Sequence, residues 1–263
     1  MNFTVNIEYY PPTDGVLRYA RIPWDSRIYG FPIFELQSPD AVTPEELASY
    51  LPGLLDQWSA IPGKLLVFSK IKFDAVRTSE ILAANGFYPV EAMLELFLPL
   101  SRFSQVIQLS PLGLIMRSAT TADVPRLKAL ATSAFHSDRL HLDTHLPPKK
   151  ADERFALWVQ NGVESGEPVF CFDMRGKTVG FSHVRPDSSG KIVDISLAAM
   201  DASCQGLGLG LLMYHAVIEE LKSRSFRIAE THVSVNNPEV INLFIRLGFA
   251  VRKTVLTFHR YKE

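Results

Sequence analysis

The stretch Gln205-Gly206-Leu207-Gly208-Leu209-Gly210 decides how the second half of this 263-residue chain is interpreted. It lies between a β-patterned segment ending near Ala199 and a segment whose apolar residues recur at helical spacing up to Lys222. Glycines let successive backbone N–H groups converge, and a helix N-terminus adds positive potential. The pattern is therefore typical of a site for phosphate oxygens, although a ligand-free strand-to-helix turn has the same composition.

Two familiar phosphate-binding patterns do not fit this stretch. A dinucleotide fingerprint that starts at Gly206 needs glycine or alanine where the chain has Leu211, and it belongs in an early βαβ unit. A Walker A loop needs Gly-Lys followed by serine or threonine, which the sequence lacks. Neither of these two nucleotide-binding folds is expected.

The segments around the stretch predict a mixed α/β domain with a largely antiparallel first part. Thr120 and Asp123 resemble a capping box ahead of one helix, and Asn237 with Pro238 starts another that stops before Gly248. Strands are predicted at 113–117, 169–174, 178–184, 192–199, 228–235 and 251–259, and the other helices at 151–161 and 209–222.

The first half reads as a smaller α/β unit. A buried strand is predicted at 64–68 and a helix at 79–85, with further strand candidates at 87–90 and 93–98. Residues 99–112 mix proline, serine and isolated apolar residues, which marks a boundary. We therefore expect a small N-terminal domain over 1–105 and a larger domain over 113–263.

Composition narrows the class of protein. With 27 basic and 28 acidic residues, the chain has no strong net field, so neither a nucleic acid nor a membrane is expected as a partner. Cys171 and Cys204 lie far apart, which argues against a disulfide framework and against a cysteine-built metal site. No signal peptide or apolar span is apparent. We expect a cytoplasmic monomer or homodimer without a metal.

Gln205, Gly208 and Gly210 match the Gln/Arg-x-x-Gly-x-Gly/Ala pyrophosphate signature, and in this respect the chain resembles the GNAT superfamily of N-acetyltransferases. The resemblance covers 113–263, including 193–204 and the stretch from Asn237 to Phe249. It implies a GNAT fold in the C-terminal half and acetyl-CoA as co-substrate. The residues that it implies for the pyrophosphate are Gln205, Gly206, Leu207, Gly208, Leu209, Gly210 and Leu211.

The resemblance also implies a splayed pair of strands, 193–199 and 228–235, around the pantetheine arm. Backbone groups at Leu197 and Ala199 would hold the arm, with the Leu197 N–H polarising the thioester carbonyl. Asn237 would contact the pantetheine, and a plain N-cap role explains it equally well. Phe244 stands where the family usually has the tyrosine that protonates the departing thiolate. Phe244 cannot donate a proton, so it is either a cofactor contact or a core residue.

An ammonium acceptor must lose a proton before it attacks, and the reference pKa of such an amine is about 10.4. Asp194 occupies a position at which GNAT enzymes often have a strand carboxylate. Glu230 and His232 share one face of the neighbouring strand by period two, and either can replace it. His183 is a weaker candidate for the base.

Residues 22–31 resemble the Trp-Asp-Ser-x-Phe-Phe-Gly opening of the dTDP-fucosamine N-acetyltransferase group of GNAT proteins, and 81–87 resembles a degenerate copy of the late Gly-Phe element. The first half is thus similar to a decayed GNAT-like unit. The same resemblance implies substrate contacts from Arg139, Asp143 and Trp158, for which structural roles are the alternative. It favours a small-molecule amine, in particular a nucleotide-linked amino sugar. The alternatives are another small amine, a protein N-terminus, or a catalytically silent acyl-CoA-binding module.

Overall fold

The structure is a computed structural model that describes residues 5–13, 15–104, 113–204 and 208–263. Its strands are β1 (Ile7–Tyr10), β2 (Leu17–Arg21), β3 (Ile33–Gln37), β4 (Leu65–Lys72), β5 (Tyr88–Pro99), β6 (Leu114–Ser118), β7 (Val169–Met174), β8 (Lys177–Pro186), β9 (Ile192–Met200), β10 (Ile228–Ser234) and β11 (Ala250–Lys262). Its helices are α1 (Pro23–Tyr29), α2 (Pro44–Ser59), α3 (Val76–Ala84), α4 (Val124–Ala134), α5 (Arg139–Leu142), α6 (Pro148–Glu164), α7 (Leu209–Ser223) and α8 (Pro238–Arg246).

The chain forms two compact units that are not contiguous in sequence. Unit 1 consists of Met1–Met93, Asp138–Lys150 and Lys253–Glu263, and unit 2 consists of Leu94–Ser137 and Ala151–Arg252. Strands β5 and β11 are each divided between the units. The predicted domains 1–105 and 113–263 are boundaries along the sequence, which this grouping in space does not test, so they stay a prediction.

Unit 1 is built on strands β1, β2, β3, β4 and β11, in that order. The β3–β4 pair is parallel, and the other pairs along this row are antiparallel. Helix α2 is absent from the predicted elements, although Thr43 and Glu46 form a capping box around its first turn. The helix buries a row of apolar side chains against the strands, namely Leu47, Leu51, Leu54, Leu55 and Trp58.

Unit 2 contains the glycine-rich stretch and follows the predicted order of elements. Its strands run β5, β10, β9, β8, β7, β6, with antiparallel pairs from β6 to β9 and a parallel pair of β9 with β10. One face of this sheet packs on α7 and α8, and the other packs on α4 and α6. The predicted mixed α/β fold class is confirmed.

Strands β9 and β10 separate after a short paired segment. They pair at three positions, the last of which joins Glu230 to Asp194. Beyond it β9 continues to Met200 and β10 to Ser234. The unpaired ends form a wedge, in which the backbone N–H and C=O groups of the two strands are not hydrogen-bonded to each other. The predicted splay is therefore present.

In the described parts of the chain, none of the helices is both long enough and apolar enough to cross a bilayer.

Candidate functional site

Helix α7 begins at a glycine N-cap. Gly208 has a φ of +73°, and no side chain of the described residues caps the helix. A Cβ built on Gly208 would meet no described atom within 4 Å. A left-handed N-cap of this kind favours glycine and presents N–H groups outward. Gln205, Gly206 and Leu207, the other predicted pyrophosphate residues before it, lie outside the described residues.

The next residues of α7 have packing roles as well. A Cβ on Gly210 would lie 3.4 Å from Leu243 Cδ1, so glycine here allows α8 to approach closely. Leu209 is buried in the core, and the Leu211 N–H donates to the Gly208 carbonyl at 3.2 Å. The pyrophosphate role of these residues stays a prediction.

A bulge in β9 turns the predicted pantetheine contacts the wrong way. The register passes from His183–Leu197 to Val184–Ile195, which leaves Ser196 unpaired. The Asp201 N–H donates to the Val179 carbonyl in β8. Because backbone groups alternate along a strand, the N–H groups of Ala199 and Leu197 also face β8.

The expectation that the Leu197 N–H polarises a thioester carbonyl is therefore wrong. The main-chain groups of Ala198 and Met200 face the wedge instead, and we expect those two residues to meet a ligand there. A bulge adds one residue to a strand without any strong mark in its sequence, so alternation counted along 193–199 could not reveal this change.

The three predicted catalytic residues lie together with two others on one face of unit 2. We call Glu95, Asp194, Glu230, His232 and Arg252 the open cluster. His232 Nδ1 lies 3.5 Å from Asp194 Oδ1, and His232 Nε2 lies 3.5 Å from Glu95 Oε2. The imidazole is 44% exposed and the Asp194 side chain 36%, so solvent reaches both.

Within the open cluster, Arg252 forms ion pairs with two of the three carboxylates. Its Nη1 atom is 2.5 Å from Glu230 Oε1 and 3.3 Å from Glu95 Oε1, and its guanidinium lies over the Phe97 ring. Asp194 Oδ2 accepts a hydrogen bond from Ser196 Oγ at 2.5 Å. Asp194 Oδ1 is enclosed and has no hydrogen-bond partner among the described residues. It is thus an acceptor in need of a donor.

Glu95 and Arg252 are functional candidates that sequence reasoning missed. Glu95 interrupts an apolar strand, and its neighbours Leu94 and Leu96 belong to the core. A charged residue on the opposite face of such a strand is a signal that period two would have revealed. Arg252 had no comparable signal, because its partners lie 157 and 22 residues away in sequence.

His183 does not reach the open cluster. It is fully buried, and its Nε2 lies 2.6 Å from Glu167 Oε2. Gly162 of α6 passes so close that a Cβ there would be 2.7 Å from the imidazole. A histidine enclosed in this way cannot take a proton from an incoming acceptor, so it is excluded as the base.

Asn237 and Phe244 of the α8 region are occupied by structural contacts. Asn237 Oδ1 accepts from the Val240 N–H at 3.3 Å, which confirms the predicted N-cap. Phe244 is 1% exposed, and its ring packs on Tyr214 and Phe249. This geometry favours the core role for Phe244 over a cofactor contact. A cofactor contact of Asn237 stays a prediction.

Two predicted substrate residues, Arg139 and Asp143, belong to unit 1 and are 8% and 3% exposed. His259 lies between them, with Nε2 3.1 Å from Arg139 Nη1 and Nδ1 2.6 Å from Asp143 Oδ2. Arg139 also lies 3.5 Å from Asp25 and donates its N–H to Glu91. We call Asp25, Glu91, Arg139, Asp143 and His259 the buried cluster. Its geometry favours the structural alternative for Arg139 and Asp143.

Trp158 belongs to unit 2, on α6. Its ring packs beside Phe155 on the core formed with α4, and the Arg154 guanidinium lies 4.9 Å above it. Trp158 thus combines a partly buried ring with a cation on one face. Its role as a substrate contact stays a prediction.

The comparisons with known proteins agree with this architecture. Residues 130–249 match the family described as "Acetyltransferase (GNAT) family". The chain is 20% identical over 252 residues to the spore coat polysaccharide biosynthesis protein SpsD of Bacillus subtilis, covering 93% of this chain and 83% of SpsD. It is 23% identical over 243 residues to dTDP-fucosamine acetyltransferase of Escherichia coli O6:H1, covering 91% and 96%.

A solved GCN5-related N-acetyltransferase from Sphaerobacter thermophilus superposes with a TM-score of 0.68 at 16% identity, over 95% of this chain and 78% of that one. This likeness confirms the predicted GNAT fold. Proteins of the family transfer an acetyl group from acetyl-CoA to an amine. The family match and the splayed strands together show that residues 130–249 of this chain form a GNAT-type acetyltransferase domain.

Proposed function

We propose that the protein transfers the acetyl group of acetyl-CoA to the primary amine of a small molecule, and that this acceptor is a nucleotide-linked amino sugar. The observation that carries the proposal is the open cluster, in which an exposed histidine lies between two carboxylates and one carboxylate oxygen lacks a donor. An ammonium group beside the exposed imidazole supplies the proton to be removed.

The described residues fit acetyl-CoA in two places. The space beside Gly208 and the glycine N-cap of α7 suit phosphate oxygens. The wedge between β9 and β10 presents main-chain groups of Ala198 and Met200 to an extended arm, in the manner of an added strand. When bound, acetyl-CoA supplies the acetyl group as an activated thioester.

Some residues of the open cluster hold each other in position, and one residue accepts the proton of the substrate amine. Arg252 ties Glu230 and Glu95 in place, so neither carboxylate is free to turn toward an acceptor. The acceptor's ammonium meets the exposed imidazole of His232, which takes its proton. The carboxylates of Asp194 and Glu95, one on each side of the ring, stabilise the resulting imidazolium. Three carboxylates against one guanidinium also make this face acidic, which favours a cationic acceptor.

The sugar part of the proposal rests on likeness. One relative is a dTDP-fucosamine acetyltransferase and the other acts in spore coat polysaccharide biosynthesis, and both align over more than nine-tenths of this chain. Identities of 20% and 23% show ancestry better than they show substrate. Further proposals are the domain boundary between 105 and 113, a cytoplasmic location, a monomeric or homodimeric state, and catalysis without a metal.

A thiol-release assay with a panel of amines tests the proposal. The panel contains a nucleotide-linked amino sugar, the corresponding free amino sugar, a polyamine and a peptide with a free N-terminus. We expect the highest kcat/KM for the nucleotide-linked sugar. His232→Gln should lower kcat/KM by about a hundredfold or more at pH 7, and the deficit should shrink toward pH 9, where more of the amine is already deprotonated.

His136→Gln is the matched control, because His136 is exposed in unit 2 and lies outside the open cluster. It should leave kcat/KM within about twofold. A higher kcat/KM for the peptide would show that the acceptor is a protein N-terminus and not a sugar. Equal activities of the His232 and His136 variants would overturn the assignment of His232.

A further inference from the structure

Ser196 lies at the bulge of β9, two residues beyond Asp194 on the same strand. Residues two positions apart on a strand share a face, so the serine side chain lies on the side of the open cluster. Its Oγ donates a hydrogen bond to Asp194 Oδ2 at 2.5 Å. This hydrogen bond fixes the rotation of the carboxylate, and the rotation decides where the other oxygen, Oδ1, lies.

The pair of Asp187 and Ser189 has the same spacing in a different setting. Ser189 Oγ lies 2.8 Å and 2.7 Å from the two carboxylate oxygens of Asp187. Asp187 also accepts from the backbone N–H groups of Lys191 and Ile192, as is typical of a turn. In the part of the chain that the structure describes, Asp194 accepts no backbone N–H group. The hydrogen bond from Ser196 therefore orients a strand carboxylate and does not close a turn.

Asp194 Oδ1 faces the imidazole of His232. This oxygen is enclosed and has no hydrogen-bond partner among the described residues, and His232 Nδ1 lies 3.5 Å from it. On the other side of the ring, Glu95 Oε2 lies 3.5 Å from Nε2, and Arg252 pairs with the same carboxylate. Because an enclosed acceptor without a donor is costly, a neutral ring should carry its hydrogen on Nδ1, which leaves a lone pair on Nε2.

We propose that Ser196 is a positioning residue for the proton transfer. By fixing Asp194, it selects the form of His232 that has hydrogen on Nδ1 and a lone pair on Nε2. The inference rests on the proposed function, in which His232 accepts the proton of the substrate ammonium.

The form of the ring decides whether that proton can be taken. The proton passes from the ammonium to Nε2, the ring becomes an imidazolium with hydrogen on both nitrogens, and the amine nitrogen keeps the electron pair with which it attacks the thioester. In the other neutral form, hydrogen occupies Nε2 and the lone pair of Nδ1 is directed at Asp194. That form of His232 has no acceptor to offer to the substrate.

Nitrogen NMR spectra of the histidine rings test the proposal without any turnover. They are recorded at about pH 9, where a histidine ring is neutral, and His232 is assigned by comparison with His232→Gln. Wild type should show hydrogen on Nδ1. In Ser196→Ala the carboxylate of Asp194 can rotate, so the ring should shift toward the form with hydrogen on Nε2, and kcat/KM should fall by about three- to tenfold. Ser196→Thr keeps the hydroxyl and should restore both the spectrum and the rate.

Ser189→Ala is the matched control, because it removes a hydrogen bond of the same kind in an exposed turn outside the open cluster. It should leave the spectrum and the rate unchanged. If wild type carries its hydrogen on Nε2, or if Ser196→Ala keeps the wild-type spectrum, the positioning role falls and the proposed function stands. If wild type acetylates none of the amines in the panel, the proposed function falls, and the spectra still decide whether Ser196 sets the form of the ring.

Discussion

The buried cluster of unit 1 and the open cluster of unit 2 have the same composition: three carboxylates, one arginine and one histidine. In the buried cluster every residue is at most 8% exposed, and its histidine contacts both an arginine and an aspartate. In the open cluster the histidine is 44% exposed and lies 3.5 Å from each of two carboxylates. The same residue types are thus enclosed in one place and accessible in the other.

The difference shows that solvent exposure decides whether the histidine of such a cluster can exchange a proton. Burial lowers the pKa of His259 to about 4, despite the opposing hydrogen bond that its ring donates to Asp143, so this ring stays neutral at physiological pH. Its two nitrogens both have partners, in Arg139 and Asp143. His232 keeps solvent on its ring and can exchange a proton. We therefore expect the first cluster to have a structural role and the second to be suited to chemistry.

Removing the central cation of the buried cluster should have the largest effect. Arg139→Met removes the guanidinium that lies 3.5 Å from Asp25 and is stacked 3.8 Å above Phe68. We expect the free energy of unfolding to fall by about 3 to 5 kcal/mol, because the buried carboxylates of the cluster lose their cation. Urea titration measures this. A loss below about 1 kcal/mol would contradict the structural role of the cluster.

Glu91→Gln should change how stability depends on pH. Burial, followed by repulsion from Asp138, raises the pKa of Glu91 to about 7 from its ordinary value of 4.5. Between these values the folded state binds more protons, so the contribution of Glu91 is complete below pH 4.5 and is lost as the pH rises through 7. His259 has the opposite sign, since its lowered pKa costs stability as the pH falls from 6.5 to about 4.

The two contributions oppose each other between about pH 4.5 and 6.5. Relative to wild type, Glu91→Gln should gain up to about 3 kcal/mol in the free energy of unfolding from pH 4.5 to 7.5. Urea titrations at pH 4.5, 5.5, 6.5 and 7.5 measure the difference. Parallel curves for the two proteins would show that Glu91 titrates normally in the folded state.

Arg252→Met is the counterpart of Arg139→Met and should have the smallest effect on stability. The Arg252 side chain is 38% exposed, so its ion pairs with Glu95 and Glu230 are screened by water. We expect a change of about 1 kcal/mol or less in the free energy of unfolding. The freed carboxylates should lower KM for a cationic acceptor. A loss as large as that of Arg139→Met would remove the distinction between the clusters.

Sequence patterns predicted most of unit 2 because its signals are local. The turn at 175–177, the Asn237 cap and the period-two strands each depend on residues within a few positions of one another. Unit 1 was predicted less completely. The α2 capping box was overlooked, and 87–90 and 93–98 were split although they form the single strand β5.

By itself, the sequence determined the mixed α/β class, the order of elements in the second half and the resemblance to GNAT proteins, because these follow from short-range periodicity and from a motif within six residues. It also supplied Asp194 as a candidate, through the resemblance, and Glu230 and His232, through alternation along one strand. Only the tertiary structure decided that Glu95 and Arg252 join them, and that Arg139 and Asp143 are enclosed with His259. The bulge at Ser196, which turns Leu197 away from the wedge, was likewise decided there. Burial and long-range pairing set these outcomes, and neither is encoded in the spacing of residues along the chain.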